Sequence, residues 1–452
     1  MRKKTLNLAI ASFALLFSAA YAVENRPMTT AHRAVEHKLP DAWQQLVHGG
    51  QFMDRILPAP IYRELTADTW GADAVRPRDI HNGIEDPEWS YWGGKPVLGP
   101  DNKYHWFGCR WPEGAPKGHG AWPQSVMVRA VSDRPTGPFI VAEEIAPGHF
   151  PEITRLKDGR WALFHFEGYY LSNTLFGPWT HVTREEAGFP GIQMGSVCLR
   201  EDGSLLMVDR RSRIWIKENG AEQFTRMTEH RVIPDHLPGK YEDPVVWRTE
   251  VQYHMIVNNF PGRIAHHMRS KDGIVWKTDP GKAYTVGVDS YEDGTKVAWH
   301  KYERPKVLQD QYGRATHLYL AVIDVGKKSD KASDNHSSKN IALPLVVDRR
   351  LQMLNTERIT AETSEIRVKV IAEEGFDPHT DMAIESLRFG ASEAVDYGRG
   401  SSVLRTEPAG KDLILVFDGQ GNGISDNNFA GKLLGKTKEG KLLLGYTRLP
   451  EQ

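Results

Sequence analysis

Apolar residues in this chain come mostly in short runs that alternate or cluster over five to eight positions and are cut by Gly, Pro, Asp and Asn. Runs of this kind at 126–131, 161–166, 204–208, 253–257 and 317–323 predict β-strands, and the same pattern returns at 366–372, 412–417 and 441–446. Helical spacing is scarce after about residue 47, and the one helix expected lies near 40–47 in a lead-in segment over 23–75. The fold class predicted is all-β.

The strands recur in sets. Ser132-Asp-Arg-Pro-Thr-Gly-Pro-Phe139 returns as Ser172-Asn-Thr-Leu-Phe-Gly-Pro-Trp179, with a looser echo at Ser270-Lys-Asp-Gly-Ile-Val-Trp276, each read as the turn between a third and a fourth strand. Turns ahead of a second strand are expected at Asp101-Asn102, Asp158-Gly159, Asp202-Gly203 and 310–313. A polar cluster closed by proline precedes strands at Glu85-Asp86-Pro87, His149-Phe150-Pro151, Glu242-Asp243-Pro244 and Glu303-Arg304-Pro305. A repeat of roughly 40–60 residues fits the four-stranded blades of a β-propeller. Seven blades over 76–452 is the expectation, with five blades plus an accessory sandwich as the other division. In a propeller the junctions before inner strands gather at one end of the central channel, so the site is sought there.

Residues 1–22 join a basic Arg2-Lys3-Lys4 start, an apolar run and small residues at Ala20 and Ala22, the pattern of a secretory signal peptide cleaved near Ala22. That predicts a secreted or periplasmic protein with no membrane span. The 57 Lys and Arg nearly cancel the 58 Asp and Glu, so net charge gives no reason to expect nucleic acid, and an acidic ligand must meet a local basic cluster. No protein partner is implied. Cys109 and Cys198 are too few for a disulfide scaffold and read as buried thiols.

His119 lies between two glycines in a loop, and His149 at a blade junction; either binds a ligand or merely bonds a loop carbonyl. Arg210 and Arg211 follow an apolar strand and suit a carboxylate or sulfate, with Arg263 and Arg304 at comparable ends. Tyr241, Tyr302 and Tyr169 are phenols near those ends, Tyr241 the best placed to pass a proton. Trp122 and Asn258 complete the candidate substrate contacts. His254, His266 and His267 lie on two strands of one hairpin, a spacing that allows a structural divalent metal, zinc or calcium, with Cys198 as a further ligand; the plainer reading is histidines packed on a polar sheet face. No cofactor is required for the chemistry.

Taken together, Lys117-Gly-His-Gly-Ala-Trp-Pro123, Pro147-Gly-His-Phe-Pro-Glu152, Tyr241-Glu-Asp-Pro-Val-Val-Trp247 and Tyr302-Glu-Arg-Pro-Lys306 resemble the ulvan lyases of polysaccharide lyase family 25, secreted propeller enzymes of marine bacteria, over about 80–350. The resemblance implies seven blades and endolytic β-elimination on a sulfated rhamnose–uronate polymer. It also implies a site of histidines, a tyrosine and an arginine, carried onto His119, His149, Tyr241 and Arg210 or Arg211. Met194 departs from it by standing at a blade start where a tyrosine is expected. Two other functions fit the same residues: a glycoside hydrolase using a carboxylate pair among Glu85, Asp86, Glu152, Glu242, Asp243 and Glu303, and a glycan-binding protein without catalysis.

Overall fold

A computed structural model of the chain describes residues 39–67, 70–189, 194–233 and 237–450; the expected signal peptide and the start of the lead-in lie outside the described residues. Five antiparallel sheets follow one another. Blade 1 is β1 (Trp89–Leu98), β2 (Tyr104–Pro112), β3 (Val126–Ser132) and β4 (Ile140–Pro147). Blade 2 is β5 (Glu152–Arg155), β6 (Trp161–His165), β7 (Gly168–Ser172) and β8 (Thr180–Thr183). Blade 3 is β9 (Met194–Leu199), β10 (Leu205–Asp209), β11 (Ile214–Lys217) and β12 (Thr225–Arg226). Blade 4 is β13 (Tyr241–Arg248), β14 (Tyr253–Asn259), β15 (Ile264–Ser270) and β16 (Lys277–Thr278), with β17 (Tyr284–Thr285) also on β15. Blade 5 is β18 (Lys301–Gln309), β19 (Ala315–Ile323) and β20 (Ser338–Pro344).

The first strands form a ring: β1 packs beside β5, β5 beside β9, β9 beside β13, β13 beside β18, and β18 beside β1. That is a five-bladed propeller. The period-2 pattern explains it, because each strand offers one face to the blade before it and the other to the blade after. In blade 4, Tyr253, Met255 and Val257 pack with Leu206 and Val208 of blade 3. Its other face gives Trp247 and Ile256 to a cluster with Val307, Leu318 and Leu320 of blade 5.

The turns are built as their residues dictate. In four blades the first hairpin reverses on an Asp whose carboxylate accepts a backbone N–H two residues on: Lys103 N to Asp101 at 3.2 Å, Arg160 N to Asp158 at 3.0 Å, Ser204 N to Asp202 at 2.9 Å and Tyr312 N to Asp310 at 2.9 Å. The repeated Gly-Pro turns do join third to fourth strands, at Gly137-Pro138 and Gly177-Pro178.

Blade 5 has only three strands of its own, and the stretch just ahead of β1 adds to its outer edge. Ile84 exchanges backbone hydrogen bonds with Asn340 of β20. Two residues earlier, buried Asn82 accepts from Ala342 N at 2.9 Å and donates to Ala342 O at 2.9 Å, so one side-chain amide does the work of a strand residue.

Seven blades are not what the chain forms. The strands expected to complete the last blades are β21 (Arg349–Met353), β22 (Glu365–Val370), β23 (Arg388–Gly390), β24 (Ser401–Ala409), β25 (Asp412–Asp418), β26 (Ala430–Lys436) and β27 (Leu442–Arg448), and they close a barrel in the order β21-β22-β25-β24-β23-β26-β27. Period-2 alternation is the same in a blade and a barrel. What differs is partner choice: β22 pairs with β25, and β21 runs parallel to β27. The helix expected near 40–47 is a 3-10 turn, Asp41–Gln45.

Asn82→Ala strands both polar groups of Ala342 in a buried seam. The expected loss is about 1–3 kcal/mol, read as a lower denaturation midpoint with an unchanged slope.

Candidate active site

Five inner strands crowd the axis, and four of them bend at one equivalent place. Gly93 (φ 70°), Phe150 (φ 57°), Asp243 (φ 58°) and Arg304 (φ 52°) all take the left-handed conformation. Each is followed by Gly94, Pro151, Pro244 or Pro305, residues that weaken or cannot join the ladder. β1, β13 and β18 slip register at these points. For Phe and Arg this conformation costs on the order of 1–3 kcal/mol, kept only where surroundings enforce it. Here the Arg304 guanidinium lies over the Phe150 ring and ion-pairs with Asp243 at 2.8 Å. Between these residues and Gly195 of blade 3 only about 10 Å³ is left open, room for about one water. The axis is a plug.

Around the plug the charged side chains converge. Oxygens of Glu242, Asp243 and Glu303 lie within 4.8 Å of one another. Arg210 reaches Glu242 at 2.7 Å, Lys301 reaches Glu303 at 3.1 Å, Lys327 also pairs with Glu303, and Arg304 holds Asp243. Four cations thus face three carboxylates. A divalent ion at these oxygens would compete with all four cations, whereas an anion is matched. Arg210 and Lys327 are the open members, with side chains 30% and 27% exposed against 9% and 7% for Arg304 and Lys301. Below them Glu152 is sealed between Lys95 at 2.7 Å and Lys306.

Two imidazoles join the cluster. His119 sits in the 3-10 turn Gly118–Gln124, its Nδ1 2.8 Å from Ser338 Oγ and its ring edge-on to Trp92 at 4.6 Å. Gly118 is required there: φ is 51°, and a Cβ would fall 2.2 Å from the Asp330 carbonyl oxygen. The polar stretch after Gly326 therefore packs onto the His119 turn and delivers Lys327 over the Trp92 ring at 4.5 Å. His149 lies under Trp122, ring centroids 4.6 Å apart, with Nδ1 2.7 Å from Ser125 Oγ.

The field follows from burial and from that excess of cations. Burial, then Lys327, pushes His119 well below the ordinary imidazole range, and burial, then Arg304, does the same to His149. Both are neutral bases near pH 7. Burial raises the Asp243 carboxyl to about 7 against the pull of Arg304, with Glu242 and Glu303 adding to the rise. Arg304 stays protonated, as a guanidinium does even when burial lowers it. Burial alone would raise Glu303, but Lys327 and Lys301 outweigh it and hold that carboxylate low.

The structure brings together His119, His149, Trp122, Arg210 and Arg304 from the residues expected. Fully buried Asn258 stands opposite Glu242 in the β13–β14 register, with both amide atoms lacking a partner among the described residues. Arg263 donates to His300 O at 3.4 Å. Arg211 is exposed on its turn. The tyrosines lie elsewhere: Tyr241 donates to Leu237 O at 3.4 Å, Tyr302 is buried on Asp289, and Tyr169 packs on Phe164. Strand alternation turns Tyr241 and Tyr302 away from the side that Glu242 and Glu303 face.

The expected metal ligands do not share one point. His254 Nδ1 meets His267 Nε2 at 3.1 Å, His267 Nδ1 meets Asp279 at 2.8 Å, and Arg269 holds Asp279 at 2.8 Å. His266 Nδ1 instead lies 3.4 Å from Gly281 O, and Cys198 is a buried free thiol among Leu206 and Val208.

Reading the sequence missed Ser125, Ser338, Trp92 and Lys327. Trp92 was findable, since Trp92-Gly93-Gly94 is the blade 1 counterpart of Glu303-Arg304-Pro305 with glycine in place of the x-Pro signal. A cavity of about 1400 Å³ opens elsewhere, between Trp276 of blade 4 and Arg358 and Ile424 near the barrel. Its charges are already matched, Arg448 to Glu201 at 2.9 Å and Arg200 to Asp202 at 3.2 Å. No helix among the described residues is long and apolar enough to cross a membrane.

No protein-family model matches this chain, and no curated protein matches it. Among solved structures it is similar to a family 117 glycoside hydrolase produced by the marine bacterium Zobellia galactanivorans, at TM-score 0.41 and 12% identity over 58% of this chain and 88% of that one. It is also similar to an endo-arabinase from Bacteroides thetaiotaomicron, at TM-score 0.39 and 11% identity over 59% and 98% of the two chains. A family 43 arabinoxylan arabinofuranohydrolase from Bacillus subtilis gives TM-score 0.39 and 10% identity over 79% and 96%.

The buried imidazoles set a pH dependence. His119, His149 and His254 are all held well below 6.5 when folded, while unfolding returns each to about 6.5. Below that value the unfolded chain binds protons the native chain refuses, so their contribution is present above about pH 6.5 and is lost as pH falls. Asp243, raised from 3.8 to about 7, works oppositely, its contribution being lost as pH rises through 7. Each fully shifted group changes stability by about 1.4 kcal/mol per pH unit. In thermal melts from pH 7.5 to 5, the midpoint of wild type should fall relative to that of His149→Gln, which lacks one lowered imidazole.

Proposed function

We propose that this protein cleaves a uronate-containing acidic polysaccharide by β-elimination. The observation that carries the reading is the pair of buried, neutral imidazoles set beside an excess of cations, two of which stay open to a ligand. The C5 proton of a uronate is weakly acidic until its carboxylate is neutralised. Arg210 and Lys327 supply that neutralisation. One imidazole takes the C5 proton, the electron pair forms the C4–C5 double bond, and the glycosidic C4–O bond breaks. The departing oxygen takes a proton from the imidazolium just formed or from water. Trp122, part-exposed beside the charges, offers aromatic surface for a sugar ring. The leader pattern at 1–22 supports a substrate outside the cytoplasm, and a sulfated rhamnose–uronate polymer such as ulvan is the first choice.

A second reading rests on a different observation. Asp243 near 7 and Glu303 held low are carboxyls whose environments push their titration apart, the condition for an acid and base pair in hydrolysis. Asp243 is buried in the plug and paired with Arg304, which leaves it badly placed to reach a glycosidic oxygen.

Incubation of the purified protein with ulvan, followed by ultraviolet absorbance of a 4,5-unsaturated uronate, tests the first reading. Absorbance should rise, and His119→Ala and Arg210→Ala should each lower kcat/KM by about 10²-fold or more. New reducing ends without absorbance would replace elimination by hydrolysis. Binding without cleavage would remove both.

A further inference from the structure

Hydrogen-bond accounting around His149 leaves one tautomer. Three hydrogens meet in a buried pocket: those of the Ser125 hydroxyl, the Cys109 thiol and the imidazole. Ser125 Oγ lies 2.9 Å from the Gly148 carbonyl oxygen, and Cys109 Sγ lies 3.0 Å from the Trp92 carbonyl oxygen. A carbonyl only accepts, so the hydroxyl and the thiol donate there. Each has then spent its one hydrogen. His149 Nδ1, 2.7 Å from Ser125 Oγ and 3.3 Å from Cys109 Sγ, faces two acceptors and must carry the ring proton. The opposite nitrogen is consistent with this, because Nε2 is buried without a hydrogen-bond partner among the described residues. An orphan lone pair there is the milder penalty, since an orphan N–H is the rarer defect in folded proteins.

We propose that Ser125 is a positioning residue that fixes His149 as the Nδ1–H tautomer, so that Nε2 presents its lone pair as the proton acceptor of the site. This rests on the elimination reading for its catalytic meaning, but the tautomer itself does not. Buried Phe150 and part-exposed Trp122 and Phe166 cover the ring at 3.6, 4.6 and 6.1 Å, so contact of Nε2 with a sugar requires Trp122 or Phe166 to shift. Burial and the nearby cations keep the lone pair unprotonated near pH 7. Cys109 is the weaker of the two acceptors and does not hold the ring alone.

The test is nitrogen NMR of the full-length protein labelled with 15N-histidine, with His149 assigned by its loss in His149→Gln. Wild type should show Nδ1 protonated and Nε2 bare. Ser125→Thr, which keeps the hydroxyl, should preserve that pattern, and Ser125→Ala should move the proton to Nε2 in part or whole. Nε2 protonated in wild type, or Ser125→Ala leaving the tautomer unchanged, overturns the proposal. With ulvan, Ser125→Ala should lower kcat by about 10²-fold with KM little changed, and Ser125→Thr should restore it. A wild type that shows the tautomer but cleaves no uronate polymer would uphold the positioning role and reject the elimination reading.

Discussion

Five strands that meet at one axis must dispose of the side chains the pleat would drive into it. This chain solves the problem with a repeated left-handed residue, at Gly93, Asp243 and Arg304 where β1, β13 and β18 slip register and at Phe150 just before β5. It lets four of the five blades turn one residue into the plug and the residue before it toward the charged cluster. Trp92, His149, Glu242 and Glu303 occupy that preceding position, and through them every blade but the third is tied to the site by one equivalent step in its chain. Strain at Phe150 and Arg304 is offset by their mutual contact and by the Asp243 pair.

Placing charge on top of a sealed plug has consequences for chemistry. Carboxylates near an axis invite the thought of acid–base catalysis, yet Glu152, Glu242 and Glu303 are each held by a cation. Their work is to keep lysine and arginine in place at low dielectric cost, since an unpaired buried charge costs several kcal/mol. The cations left open are the ones suited to an anion, and the imidazoles beside them are kept neutral by the same field.

A second set of buried charges lies where the segment before β1, blade 4 and the barrel meet. Arg55 pairs with Asp348 at 3.2 Å, Lys432 pairs with Asp396 and donates to Gly49 O at 2.9 Å, and the Tyr446 ring lies between Arg269 and Lys432. The His254–His267–Asp279 series runs into this seam through Arg269. His254 and His267, read on the sequence as packed histidines with a metal as the other choice, are hydrogen-bonded in that series.

Alternation, Asp-Gly and Gly-Pro turns and the x-Pro junctions determined the β class, the blade repeat and the direction in which to look for the site, because each is a local rule of backbone geometry. His119, His149, Arg210 and Arg304 were legible for the same reason: they sit at turns and strand ends marked by glycine, proline or an apolar run. The number of blades was not legible, since β22 choosing β25 over β24 depends on surfaces far apart in sequence. Nor were the partners. Ser125 meets His149, 24 positions on, through the β3–β4 ladder that pairs Val126 with Pro147, while Ser338 beside His119 and Lys327 over Trp92 join residues 219 and over 200 positions apart, segments that only the closed ring brings together.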